Sequence, residues 1–437
     1  MTLRTLLPVS APVLALLVPL SAAAFQDAPV AAPGIEAEVR SILENPRVQE
    51  AFRYLEDNDD QTMADLRELT QIPAPPFMEE ARGRRFAERL TEIGADSVWT
   101  DAEGNVIGLR RGRGAGTMII SGHLDTVFPE GTDVSIRQVG DTLYAPGIAD
   151  DTRGLVTVLG ILRAMNAAQI DTEYDVWFVG TVGEEGLGDL RGMKYLFRDG
   201  GPQIDAFISI DGLGRDGITS AGLGSYRYRV TFKGPGGHSW GAFGLANPAH
   251  ALGRAVAHFD AGAREYTDAA DRRTSYNVGR IGGGTSVNSI PFEAWMEIDM
   301  RSESPAALDE IDAIFQDAMQ KGLDEENAER AQGDALEVDV DKIGDRPSGE
   351  IADENTFVQR AIAATSLTGG TPRLGRGSTD SNIPISQGVP SITIGGGGAG
   401  GAAHSLDEYY INRDGPAGIQ RALLVLLAQA GLSPVME

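Results

Sequence analysis

The stretch that decides how this chain is read is Met118-Ile119-Ile120-Ser121-Gly122-His123-Leu124-Asp125-Thr126. Its apolar run predicts a buried strand, so the polar cluster sits where that strand emerges, at the carboxyl end. Alternate side chains of a strand share a face, which places His123 and Asp125 together and turns Leu124 toward the packing. A metal-bound imidazole usually needs a carboxylate close by to fix its tautomer and angle and to raise its basicity. A strand-end His paired with Asp for purely structural reasons has the same spacing. Ligands at the ends of neighbouring strands therefore decide between the two.

Outward from that strand, helical patterns cover residues 35–69 and 79–93, and the segments 97–100 and 106–110 read as strands. After a hairpin around Gly140-Asp141, the run Gly147-Ile148-Ala149-Asp150-Asp151 opens a helix with Leu155, Leu159, Leu162 and Met165 at helical spacing. Strands at 175–181 and 206–210 follow, with a helix near 193–197 between them. Alternating strands and helices predict an α/β fold, a mostly parallel sheet flanked by helices, and ligands in such sheets collect at the carboxyl ends of strands. From Tyr226 the pattern changes to an alternating strand at 226–232, a helix from Pro248 to about Asp260, two strands ending at Met300, a helix from Ala306 and a strand at 336–340. This predicts an inserted α+β domain of four strands and two helices over 226–340, dividing the sheet domain into 35–225 and 341–437. The final strand and helix are expected at 391–394 and 419–427. The glycine-rich segment 395–403 is a loop free to take unusual backbone angles just before His404.

Composition narrows the function. With 37 Lys and Arg against 63 Asp and Glu, the 437-residue chain carries a formal charge of -26, which argues against nucleic acid or an anionic membrane surface as a partner. The absence of Cys excludes disulfides and thiolate sites, so a metal must be held by His and carboxylate. Residues 1–24 have one early Arg, a short apolar segment interrupted by Pro8, Pro12 and Pro19, and a small-residue end. That is the pattern of a secretory signal peptide, with an uncleaved anchor as the competing reading. Residues 25–34 are then a flexible leader, the protein is secreted or periplasmic, and cleavage leaves it no membrane attachment.

Further acids and one His fall where His123 needs them. Asp150 precedes a helix, Glu184 and Glu185 follow the 175–181 strand, Asp211 follows the 206–210 strand, and His404 follows the 391–394 strand. Five strand ends are thus expected to converge. Asp150, Glu185 and Asp211 with one hydroxide would balance two divalent cations, and without metal such crowded carboxylates push each other's pKa upward. Asp151 and Asp189 read as solvated loop acids.

In this order, Ser121-Gly122-His123-Leu124-Asp125-Thr126, Pro146-Gly147-Ile148-Ala149-Asp150-Asp151, Gly183-Glu184-Glu185-Gly186, Ile210-Asp211-Gly212 and His404-Ser405 resemble the motifs of the co-catalytic zinc peptidases related to aminoacylase, glutamate carboxypeptidase, carnosinase and peptidase T. The resemblance implies two Zn2+ ions per subunit, with Co2+ or Mn2+ as substitutes. Asp150 would bridge them, His123 and Asp211 would complete one site, and Glu185 and His404 the other. Glu184 would be the general base and Asp125 would hold His123. The inserted domain matches the family's dimerisation domain, so a homodimer is implied. His238, in Gly234-Pro235-Gly236-Gly237-His238-Ser239, would reach the partner's site to stabilise the oxyanion. Asn288 and Arg301 match substrate-contacting positions, although Arg301 is also placed for a strand-face salt bridge with Glu297 or Asp299. Gly377-Ser378-Thr379-Asp380 resembles a substrate loop without a role for any one side chain, and His250 and His258 read as ordinary helix residues. Two departures stand out. Thr152-Arg153 follows the Asp pair where relatives often carry Lys-Gly, and position 211 is Asp where many carry Glu.

The resemblance implies a metallopeptidase acting on short peptides. A hydrolase of N-acyl amino acids or another non-peptide amide is the first alternative. A catalytically silent peptide-binding relative is the second, disfavoured because binding alone requires neither Glu184 nor Asp125.

Overall fold

The computed structural model describes residues 28–433, so the expected signal peptide lies outside the described residues. The first helix, Pro33–Leu43, begins inside the segment expected as a leader, because Pro33 occupies the first helical turn, where its missing N–H costs nothing. Helices Pro46–Asp57 and Asp59–Thr70 follow, the former capped by the Asn45 side chain. Helix Glu80–Ile93 stops at Gly94, whose φ of 95° ends it in the left-handed region.

The large sheet has nine strands. Its centre is parallel: Asp175–Thr181, Thr117–His123, Ala206–Ile210 and Ser391–Ile394 lie side by side in that order. Antiparallel strands flank this centre, Val106–Arg110 on one side and Gly217–Gly222 on the other. Apart from Thr117, every residue of Thr117–His123 is buried, as expected for a strand covered on both faces. Helices Arg153–Ala167 and Gly415–Ala430 supply much of the cover and are apolar almost all round. The register sets His123 opposite Thr181, Ser121 opposite Ser209, and Ile210 opposite Ile394. The carboxyl ends of these strands therefore share one edge.

Two expected ligands do not come from this sheet. Asp150 follows Thr142–Tyr144, and His404 lies between Ala399–Gly401 and Tyr409–Ile411; these strands belong to a separate four-stranded sheet. The expected five converging strand ends are three strand ends and two loops of a neighbouring small sheet. The glycine run makes this route possible, since Gly397 and Gly398 have φ of 84° and 77° and carry the chain away from Ser391–Ile394 before it folds back.

The inserted segment forms its own antiparallel sheet, in the order Thr274–Gly283, Glu293–Ser302, Gly224–Lys233 and Glu337–Arg346. Helices Pro248–Ala269 and Pro305–Glu329 cover one face around a core that includes Phe232, Phe259, Met296 and Phe315. The first helix runs beyond Asp260 because Ala263 continues its buried stripe. The last strand ends at Arg346 rather than 340. Its first half alternates acidic residues with Val338 and Val340, which pack on this core, whereas Lys342 to Arg346 carry no apolar alternation and become buried only after the bulge between Lys342 and Gly344.

Candidate active site

At the shared sheet edge, His123, Asp150 and Glu185 bring candidate ligand atoms within 4.8 Å of one another. Asp150 stands between two imidazoles, Oδ1 at 3.0 Å from His123 Nε2 and Oδ2 at 3.0 Å from His404 Nε2. His404 Nε2 is also 3.1 Å from Glu185 Oε1. Asp211 lies at the same edge, its backbone N–H bonded to the Ile394 carbonyl.

The orienting contact expected from the Asp125 carboxylate is divided differently. His123 Nδ1 is 3.0 Å from the Asp125 backbone carbonyl and 3.7 Å from its carboxylate. The carboxylate accepts the backbone N–H groups of Glu184 and Glu185 at 3.1 and 2.8 Å, so Asp125 holds the loop that carries both glutamates. Asp151 is wholly buried rather than solvated, because its carboxylate accepts the N–H groups of His123 and Gly154, each at 3.0 Å. Asp189 is half-buried and accepts the Asp345 N–H at 2.8 Å.

The matched motifs run from Ser121 to Ser405. The model of peptidase family M20/M25/M40 matches residues 119–428. The chain belongs to this family. As an M20-family protein it is a metal-dependent hydrolase of the peptide and amide class. It is 26% identical over 303 residues to carboxypeptidase G2 of a Pseudomonas species, covering 66% of this chain and 68% of that one. A putative LysW-lysine/LysW-ornithine hydrolase of Pyrococcus abyssi is 31% identical over 170 residues, 39% of this chain and 45% of that protein. This match therefore spans less than half of the archaeal protein's length. In fold, the chain is similar to aminopeptidase PepT from Bacillus cereus, with a TM-score of 0.66 and 20% identity over 85% of this chain and 98% of that one.

Electrostatics suit the family's need for metal. Burial opposes a charge on His123, but the carboxylates of Asp125 and Asp150 outweigh it and hold the imidazole well above its usual pKa. His404 is pushed up to about 10 by its bonds to Asp150 and Glu185. Loss of hydration, with the charge of Asp150 behind it, pushes Asp211 up to about 7, and burial drives Glu184 and Asp151 well above the carboxylate range. Asp150 differs: burial opposes its charge, but its bonds to His123 and His404 outweigh that and hold the carboxyl below the usual range. Divalent charge relieves the carboxyls that resist ionisation. Two imidazoles with carboxylates and no thiolate are donors that zinc, cobalt and manganese accept.

Several M20-domain residues had no site role in the sequence. Arg346, at the very end of the inserted sheet, donates Nη1 to Glu184 Oε1 and to Ser378 Oγ, each at 3.1 Å, and Nη2 to the Glu184 carbonyl. Glu408 is fully buried and accepts the N–H groups of Gly147, Ala149 and Asp150 at 2.9, 2.8 and 3.0 Å, tying the Asp150 loop to the His404 loop. Arg153, the unexplained departure, is buried and donates to the carbonyls of Gly396 and Gly415, each at 2.8 Å, which pins the glycine run. Only the sequence spacing of Glu408, four residues past His404, could have hinted at any of these.

The inserted segment brings His238 and Asn288 together: Gly237–His238 pairs with Ser289–Ile290, and the Ser239 N–H bonds the Asn288 carbonyl at 2.9 Å. His238 is exposed, and its Nδ1 accepts the N–H groups of Trp240 and Gly241 within its own turn. Arg301 makes the strand-face pair, donating Nε to Asp299 at 2.7 Å. His258 bonds Glu325 at 2.9 Å, and His250 stands 3.7 Å from Glu326; both are helix-surface residues.

Proposed function

We propose that this protein is a secreted or periplasmic dinuclear zinc hydrolase that cleaves an amide bond of a short peptide. The observation that carries the reading is Asp150, with one carboxylate oxygen toward His123 and the other toward His404, the arrangement a bridging ligand needs. His123 and Asp211 would hold one ion, Glu185 and His404 the other. Bound there, the metals supply Lewis acidity to the scissile carbonyl and acidify a water.

The chain's own groups do the rest. Glu184 takes a proton from the attacking water and returns it to the leaving amine as the C–N bond breaks. Arg346 holds the Glu184 carboxylate, and Asp125 holds its backbone. The site works in a homodimer, where His238 of each chain donates a hydrogen bond to the oxyanion formed in the other. The exposed Trp240, Phe243 and Val287 beside His238 support a partner surface there. Similarity to a carboxypeptidase and an aminopeptidase supports peptides as the first substrate class, with N-acyl amino acids second.

Glu184→Gln tests the reading. The variant should retain its metal by mass spectrometry while turnover of di- and tripeptides, N-acyl amino acids and folyl-glutamates falls by about 100-fold or more. Retention of about a tenth of the rate would remove Glu184 from its role.

A further inference from the structure

Large apolar side chains left exposed singly need no explanation, but here several sit beside functional loops. Leu187 is 55% exposed two residues after Glu185, and Leu406 is 70% exposed two residues after His404. Phe77 is 61% exposed and has a φ of 67°, a backbone region that an aromatic residue adopts only under constraint.

The constraint is visible. The Phe77 N–H bonds Glu79 Oε1 at 3.1 Å, Glu79 takes both its oxygens to Arg191 Nη2 at 2.9 and 2.8 Å, and Arg191 Cζ lies 5.0 Å from the centroid of the Phe77 ring. Arg191 in turn packs on Gly183, the residue before Glu184: a Cβ at Gly183 would lie 2.7 Å from the Arg191 side chain. The segment bearing Phe77 is itself anchored next to Asp125, since the Ala74 carbonyl accepts the Thr126 N–H at 2.9 Å. A strained, braced and exposed aromatic ring thus rests, through one arginine, on the loop of the general base. On the other side of Glu184, the turn bearing Leu187 is tied by Arg227, which donates to the Gly186 carbonyl at 2.7 Å.

Resting on the hydrolase reading above, we propose that Phe77 and Leu187 form an apolar wall of the substrate site. The preferred substrates then carry a large hydrophobic or aromatic side chain beside the scissile bond. A wall of this kind discriminates by burying the substrate side chain, which is worth roughly tenfold or more between a bulky and a small residue.

The test compares wild type with Phe77→Gly, which removes the ring but suits the positive φ, and with Phe77→Tyr, which keeps the ring. Matched dipeptides and N-acetyl amino acids carrying Gly, Leu, Phe, Asp or Lys are assayed with each. Wild type and Phe77→Tyr should favour Phe and Leu over Gly and Asp in kcat/KM by about tenfold. Phe77→Gly should collapse that ratio, chiefly by raising KM for the bulky substrates. The same peptides are titrated calorimetrically into Glu184→Gln with and without Phe77→Gly. Binding thereby reports on the wall even if wild type hydrolyses none of them, the result that would instead sink the hydrolase reading. A preference for charged or small residues, or an unchanged ratio in Phe77→Gly, overturns the proposal; the latter would leave Phe77 a cover for the Arg191–Glu79 pair.

Discussion

The two histidine-bearing regions of this molecule differ in how their polar groups are satisfied. Around His123, side chains are buried and answer one another within the chain: the imidazole is 2% exposed and both ring nitrogens face oxygens of Asp125 and Asp150. Around His238 the chain leaves its surface open, with Trp240 88% and Phe243 84% exposed and the ring engaged only by the amides of its own turn. The first region holds a set of charges that calls for a cation. The second presents an imidazole and apolar area to whatever approaches, and under the dimer proposal that is a second copy. Under that proposal, the buried groups at the edge of the large sheet and on the loops of the small one would bind metal, and the inserted domain would bring His238 to the other copy's site.

Four experiments sharpen or break this contrast. The largest effect is expected at His404: His404→Ala should lose metal by mass spectrometry and cut the rate by about 1000-fold or more, whereas His250→Ala, on the helix surface, should stay within about twofold. Equal damage would erase the distinction. Next, His238→Ala should lower the rate by about 100-fold with full metal content. Mixing it with Glu184→Gln should restore activity, because one site of a mixed dimer then combines an intact base with an intact His238. If sizing shows subunit exchange and no activity returns, His238 does not serve a partner.

A smaller effect is expected from Glu408→Gln, which replaces one acceptor oxygen by a donor facing backbone N–H groups. Metal affinity measured by competition with a chelator should fall by about 10- to 100-fold, and unaltered affinity would make Glu408 a general structural acid. The smallest effect concerns Asp380, buried and pushed by that burial up to about 6 from 3.8, against the opposing bond from Thr181. Its folded-state proton affinity exceeds that of the unfolded chain. The ionised form therefore costs the folded apoprotein stability that is absent below about pH 4, grows as pH rises toward 6 and is constant above, of order 3 kcal/mol. Asp380→Asn should stabilise the apoprotein against urea at pH 8 and not at pH 4. An equal gain at both pH values would show that the ionisation of Asp380 is not its source.

Much of the candidate site was legible because its residues lie in short runs beside apolar strands. Ser121 to Thr126 and Gly183 to Gly186 each follow a strand whose hydrophobic run announces it, so their position at the sheet edge follows from local pattern. Arg346 had no such signal. It ends a strand whose alternation stops at Asp341, five residues before it, and it meets Glu184 from 162 positions away. Phe77 likewise looked like any residue of a Pro-rich loop, since a positive φ and a stacked arginine leave no mark in the sequence.

By itself the sequence determined the alternating strands and helices, the absence of thiolate ligands, the acidic balance and the identity of the clustered His and carboxylate residues, all properties of composition and short-range periodicity. Tertiary structure alone decided that Asp150 and His404 come from a second sheet, that Asp125 holds the glutamate loop through its carboxylate, and that Arg301 is already paired. It also decided that Arg346, Glu408 and Asp151 belong to the site. Each of these is a contact between segments remote in the chain or a choice among partners for one polar group, and burial and distance settle such choices only once the chain has folded.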